Sequence, residues 1–309
     1  MSAMTTSSPI GAFKLIAADI KIAHSVFALP FAVLAAFMAA MPGQASFNWN
    51  RFTGQLVLII LAMVLARTVA MLANRLLDRE IDKDNPRTKW RAIPSGKLSV
   101  SAAMSVILIC AVGFMLVCLG FGVFYENWWP TFLGLPVLAW LSAYPLLKRF
   151  TSLSHLYLGS SLAISPLAAA IAINPDSITS QPALWLLAAM VMCWVAGFDI
   201  IYALADVEVD RKQGLSSIPA KIGSGNAMWI SRLLHLVSLS CLVGVLLTDD
   251  RLRYAFGVGI CIVIILLVFE HLTVARWGTS KIALAFFTLN GIISCVLGVL
   301  GLVDLVYFA

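Results

Sequence analysis

Charge is scarce in this chain. Asp, Glu, Lys and Arg make up 12% of 309 residues while 61% are hydrophobic, against about 25% and about 45–50% in soluble domains. That excludes an ordinary water-soluble globule. Paired cysteines are missing as well. The six cysteines (Cys110, Cys118, Cys193, Cys241, Cys261 and Cys295) lie inside apolar runs with no Cys-x-x-Cys spacing, which excludes a disulfide scaffold and a zinc site of the usual pattern. They read as reduced packing residues. Histidine is rare, and His155, His235 and His271 read as interfacial or packing residues; His24 lies near Lys21 in the first apolar run. A short signal-peptide core is also lacking, because that first run is too long for one, so it is read as an uncleaved span. The formal charge of +6 comes from basic residues between apolar runs rather than on a solvated face, so no nucleic acid is expected as a partner.

What the chain has in abundance is long apolar sequence. Nine runs lie near 19–41, 53–77, 98–125, 130–147, 153–173, 183–205, 227–248, 254–273 and 282–308. Each is long enough to cross a hydrocarbon layer of about 30 Å at about 1.5 Å per helical residue. The expected fold is therefore all-α, a polytopic membrane protein with about nine transmembrane helices and the lipid bilayer as its solvent. Fifteen Lys and Arg residues fall at the N-terminus and in the loops after runs 2, 4, 6 and 8, against Arg51, Arg251 and Arg253 opposite. Because cytoplasmic loops carry the basic excess, the N-terminus is expected in the cytoplasm and the C-terminus outside.

Two polar stretches interrupt this pattern and resemble each other. The first reads Asp78-Arg79-Glu80-Ile81-Asp82, with Ile93-Pro94 following; the second reads Asp206-Val207-Glu208-Val209-Asp210, with Ile218-Pro219 following. Both come after an even-numbered run, so both face the cytoplasm. Four spans per unit predicts a parallel duplication within a single 1–309 domain, with pseudo-repeats near 19–147 and 153–273 and one further helix.

Eight of the fifteen acidic residues fall in these two windows: Asp78, Glu80, Asp82 and Asp84, then Asp199, Asp206, Glu208 and Asp210. If the second span runs on, Asn74, Asp78 and Asp82 share one helix face; Asp199, Tyr202, Asp206 and Asp210 do the same in the sixth. Like charges four residues apart repel. A cation should offset them, and magnesium prefers such hard oxygen ligands together with substrate phosphate. The plainer alternative is a loop of mixed charge, with Arg79, Lys83, Arg87 and Arg211 pairing to the acids. Asp199, seven residues up the helix and roughly 10 Å deeper, is costly near lipid and marks either a polar cavity or an interior carboxylate hydrogen-bonded to Tyr202 or a neighbouring helix. A second alternative is a transporter, since internal repeats and intramembrane acids are its features too; here, however, the acids gather at helix ends on one side.

At these residues the sequence resembles the UbiA superfamily of intramembrane aromatic prenyltransferases over nearly its whole length. The matching elements are Asn74-Arg75-Leu76-Leu77-Asp78-Arg79-Glu80-Ile81-Asp82, Tyr144-Pro145-Leu146-Leu147-Lys148-Arg149, and Asp199 through Asp206 to Asp210-Arg211-Lys212. Arg75 departs from the general motif, which has Asp there, and resembles the 4-hydroxybenzoate and menaquinone-pathway branch. The resemblance implies a magnesium-dependent enzyme that moves a prenyl group from a polyprenyl diphosphate to a ring carbon of an aromatic acceptor, 4-hydroxybenzoate or a related quinone precursor. It implies Asn74, Asp78, Asp82, Asp206 and Asp210 as metal ligands and Asp78, Asp199 and Asp206 as catalytic. Substrate contacts are expected from Lys21, Arg67, Asn74, Arg79, Tyr144, Lys148, Arg149, Tyr202, Arg211 and Lys212, with Arg149 gripping the acceptor carboxylate; the alternative is that Lys148 and Arg149 serve only the positive-inside bias, with Lys21 and Arg67 next in line for that carboxylate. The implied location is a bacterial inner membrane with the site on its cytoplasmic face. Another acceptor within the superfamily is the nearest alternative.

Overall fold

The computed structural model describes residues 27–40, 47–282 and 284–308. All its regular structure is helical. The apolar helices are α1 (Leu29–Ala40), α2 (Trp49–Leu77), α3 (Val100–Tyr125), α4 (Trp129–Leu147), α5 (Ser154–Ile173), α6 (Pro182–Ala203), α7 (Ser224–Thr248), α8 (Tyr254–Trp277) and α9 (Asn290–Val303). Among the described residues eight helical segments are long and apolar enough to span a membrane, and α1 is a shorter apolar helix. The expected first span began near residue 19, outside the described residues, as does Lys21. Helix is the only way such single segments can satisfy their backbone hydrogen bonds in hydrocarbon.

Burial separates the helices into roles. In α6, 72% of the apolar window is buried, against no more than 39% in any other span. It is the central helix, packed between α5 and α7. Leu108, Ile109 and Leu116 on α3 and Leu247 on α7 are exposed, as side chains facing acyl chains should be. The crossing of α5 with α6 depends on Gly159, where a Cβ would lie 2.2 Å from the carbonyl oxygen of Met192. Only hydrogen fits there. That close approach brings the first turn of α5 beside the Asp199 end of α6.

Polar side chains tie the second half together. Trp194 Nε1 donates to Asn290 Oδ1 at 2.8 Å, and Asn290 Nδ2 donates to Glu270 Oε1 at 2.9 Å, joining α6, α9 and α8. Asp304 accepts the free N–H groups of Arg253 and Phe256 at the start of α8, at 2.7 and 2.8 Å. It acts as a helix cap supplied from a distant segment.

The expected unbroken helix faces are modified at the acids themselves. α2 ends at Leu77 and a separate short helix spans Arg79–Asp84; α6 tightens into a 3₁₀ turn over Leu204–Asp206 before the helix Val207–Lys212. The bond from Asp82 N to Asp78 O (2.8 Å) survives the first break, so the four-residue spacing is kept while the chain changes direction.

Candidate active site

The two acidic segments, far apart in sequence, are brought under one roof. Gln213 Nε2 donates to Ile81 O at 3.1 Å, and Ser216 N donates to Lys148 O at 2.7 Å. The loops after α2, α4 and α6 thus touch one another. Gly214 at φ +67 lets the helix Val207–Lys212 end in a reversal, with Leu215 N donating to Asp210 O at 2.8 Å. The same turn places Ser217 Oγ 2.6 Å from Asp210 Oδ2.

Three of the four motif carboxylates hold a basic partner. Lys148 Nζ lies 2.6 Å from Asp78 Oδ2, with Arg149 Nη2 at 3.7 Å from Oδ1. Arg91 Nη1 bridges both oxygens of Asp82 at 2.8 and 2.7 Å. Arg87 grips Asp206 through Nε (3.0 Å) and Nη2, and its Nη1 donates to the Tyr202 hydroxyl. Asn85 Nδ2 adds a bond to Asp206 Oδ1 at 3.2 Å. In the first motif Asn74 Nδ2 donates to Asp78 Oδ2 at 3.1 Å and Arg75 donates to Asn74 Oδ1 at 2.8 Å. Arg75 thus stands beside Asn74 and orients its amide. Asp78 is only 2% exposed. Burial pushes its carboxyl above the usual range while Lys148 pulls the other way.

These residues fit a magnesium-bound diphosphate. Asp78 Oδ1 is buried without a hydrogen-bond partner, its nearest cation being Arg149 Nη2 at 3.7 Å, which leaves it acceptor capacity for a metal or donor. Among the described residues no three His, Cys, Asp or Glu side chains converge tightly enough to hold a metal alone. A metal here would complete its shell with phosphate oxygens and water, the mode magnesium favours.

Behind the polar site, α1 to α5 enclose a cavity of about 410 Å³ whose lining is apolar apart from a few side chains. Tyr144 and Arg67 line it where it meets the acidic segments, and Tyr144 lies within electrostatic reach of Arg75, Asp78, Asp199 and Arg91. Phe121, Ile171 and Ala172 line its far end, where Asn127 Nδ2 donates to the Ile171 and Ala172 carbonyls at 2.8 and 3.1 Å. The Arg67 Nε has no hydrogen-bond partner.

Other expected site residues stand elsewhere. Arg79 is exposed and pairs with Glu80 at 3.3 Å; Arg211 donates to Ala220 O at 2.9 Å and Lys212 points to solvent. These three brace or decorate the loops, because the helices break at the acids and turn them outward. Arg149 also donates to Leu77 O, so it caps the end of α2. Asp199 meets His155 rather than Tyr202: His155 Nδ1 lies 2.7 Å from Asp199 Oδ2. Arg87, Arg91 and His155 were not among the expected site residues. The sequence offers Arg87 only as a charge partner of the acids, and a lone histidine 44 residues from its partner carries no signal.

A family model for the UbiA prenyltransferases matches residues 28–292. The chain belongs to that family. A 4-hydroxybenzoate octaprenyltransferase of Pseudoalteromonas translucida is 28% identical over 80% of this chain and 78% of its own length. The corresponding Shewanella woodyi protein is 30% identical over 66% and 68%. Among solved structures, the apo UbiA homolog of Aeropyrum pernix K1 superposes with a TM-score of 0.80 at 27% identity, over 92% of this chain and 98% of that one. The Archaeoglobus fulgidus homolog, solved with GPP and Mg2+, gives 0.70 at 17% identity over 94% and 99%, a likeness of fold. This UbiA-family protein is therefore an integral membrane prenyltransferase, and membership of an enzyme family displaces the transporter alternative.

Proposed function

We propose that this protein transfers a polyprenyl group from its diphosphate to a ring carbon of an aromatic acid of the 4-hydroxybenzoate type, with magnesium as cofactor. The reading rests on one observation above all: the segments that carry the acidic motifs after α2 and α6 touch one another, with Asn85 and Arg87 of the first bonded to Asp206 of the second, beside an apolar cavity. The relatives named as 4-hydroxybenzoate octaprenyltransferases, and the Archaeoglobus homolog holding GPP and Mg2+, support the substrate classes. The positive-inside bias supports a site on the cytoplasmic face of a bacterial inner membrane. The two acidic segments, four spans apart, support two four-helix pseudo-repeats within one domain.

Asn74, Asp78 and Asp82 would hold magnesium from one side, Asp206 and Asp210 from the other. Bound there, magnesium supplies positive charge to the diphosphate and favours its departure from the prenyl C1. The chain supplies the remainder. Arg87, Arg91 and Lys148 stand on the carboxylates and reach phosphate oxygens by small side-chain shifts, a preorganised set of donors for the leaving group. The tail lies in the cavity between α1 and α5. Its apolar walls keep water from the allylic cation.

For the acceptor carboxylate, the geometry favours Arg67 over Arg149. A guanidinium lining an apolar cavity with an unpaired Nε is costly unless an anion joins it, and a planar guanidinium grips a carboxylate through two parallel bonds. Arg149 already serves Leu77 and Asp78. Tyr144, between Arg67 and the acids, would orient the ring. Purified protein incubated with magnesium, radiolabelled prenyl diphosphates and a panel of aromatic acids tests the function. A C-prenylated 4-hydroxybenzoate is expected; no transfer to any aromatic acid would overturn the proposal.

A further inference from the structure

The reaction must end with loss of a ring proton, and one carboxylate at the site differs from the others in its partner. Asp78, Asp82 and Asp206 each hold a permanent cation, and Asp210 holds the Ser217 hydroxyl. All four belong to the motifs that would bind metal. Asp199 instead pairs with an imidazole. Its Oδ2 lies 2.7 Å from His155 Nδ1, its Oδ1 has no hydrogen-bond partner among the described residues, and its side chain is 20% exposed.

The other ring nitrogen fixes the tautomer. Ile218 N donates to His155 Nε2 at 3.3 Å. A nitrogen accepting a backbone N–H carries no proton, so the imidazole proton sits on Nδ1 and is donated to Asp199. His155 is itself buried, 4% exposed. Its ring is clamped between α6 and the first turn of the Ile218–Ile222 helix, and the α5–α6 contact at Gly159 sets the approach. A histidine so held orients one carboxylate oxygen of Asp199, while the other has no hydrogen-bond partner among the described residues. Asp199 also lies two helical turns deeper than Asp206 and within electrostatic reach of Tyr144, which lines the cavity. It therefore stands between the acidic motifs and the Tyr144 end of the cavity.

Resting on the prenyl-transfer reading above, we infer that Asp199 is the base that takes the ring proton and that His155 is its positioning residue. The prenyl C1–O bond breaks and its electron pair leaves with diphosphate. A ring π pair forms the new C–C bond. The C–H pair of that ring carbon then restores aromaticity as its proton passes to Asp199 Oδ1.

The test compares wild type, His155→Leu, His155→Gln and Asp199→Asn, using 4-hydroxybenzoate with hydrogen or deuterium on the ring. In wild type, proton loss is fast and the isotope effect on kcat is near unity. His155→Leu and Asp199→Asn should lower kcat by about a hundredfold, the scale of a lost general base, and raise the isotope effect clearly above unity. KM for prenyl diphosphate should stay near wild type in both. Glutamine should restore much of kcat, since its amide can donate to Asp199 and accept from Ile218. An isotope effect near unity in both damaged variants, or wild-type kcat in either, overturns this assignment alone. Failure of wild type to prenylate any aromatic acid overturns the prenyl-transfer reading with it.

Discussion

Arg87 and Asp206, 119 positions apart, form a two-pronged ion pair that joins the loop after α2 to the end of α6. Arg87 also lies over the Tyr202 ring, 4.6 Å from its centroid. One guanidinium thus holds two residues of the second acidic segment from the first half of the chain. Arg87→Ala should raise KM for prenyl diphosphate by tenfold or more, while Arg87→Lys, which keeps charge but loses the fork, should fall between. Steady-state kinetics with varied prenyl diphosphate checks this; equal loss in the two variants would mean that charge alone is irrelevant.

Asp78 gives the site a pH signature. Burial raises its carboxyl, so protons compete with magnesium at higher pH than at an ordinary aspartate near 3.9. As pH falls, the carboxylate is protonated and metal affinity drops. The magnesium needed for half-maximal activity should therefore rise on the acid side, starting above the usual aspartate range. Asp78→Asn should need high magnesium at every pH tested.

Arg67 and Arg149 separate by kinetics. Arg67→Ala should raise KM for the aromatic acid by tenfold or more with little change for prenyl diphosphate. Arg149→Ala should act on the diphosphate side, because its partners are Asp78 and the last carbonyl of α2. The reverse pattern would return the acceptor carboxylate to Arg149.

Gly159 makes a stability prediction. A methyl group there meets the Met192 carbonyl oxygen at 2.2 Å, so α5 and α6 must move apart. Gly159→Ala should cost about 1–3 kcal/mol and lower the thermal midpoint in detergent. Gly225→Ala, where a Cβ meets open space, should leave the midpoint unchanged or slightly raised, since only helix propensity changes and alanine has the higher one.

Much of this was legible in the sequence because two signals are strong. Apolar runs of spanning length admit almost one interpretation, and they matched the helices closely at α2 through α8. The paired acidic motifs were equally plain, and the structure does place both under touching loops. Tertiary pairing was not legible. Arg79, Arg211 and Lys212 looked like site residues because they sit beside the acids in sequence, yet the breaks at Asp78 and at Leu204–Asp206 turn them outward. Arg91 reaches Asp82 only because the chain folds back through Asn85 and Thr88, whose hydroxyl donates to Asp82 O at 3.1 Å. His155 has a partner on another helix, and no local pattern encodes such a meeting.

The central claim is that carboxylates from both halves hold one magnesium-bound diphosphate. Calorimetric titration of geranyl diphosphate, with and without magnesium, into wild type, Asp78→Ala and Asp206→Ala tests it directly. Magnesium-dependent binding is expected in wild type and its loss in both variants, with helical content unchanged by circular dichroism. Binding that persists without magnesium, or that survives in either variant at wild-type affinity, would contradict it.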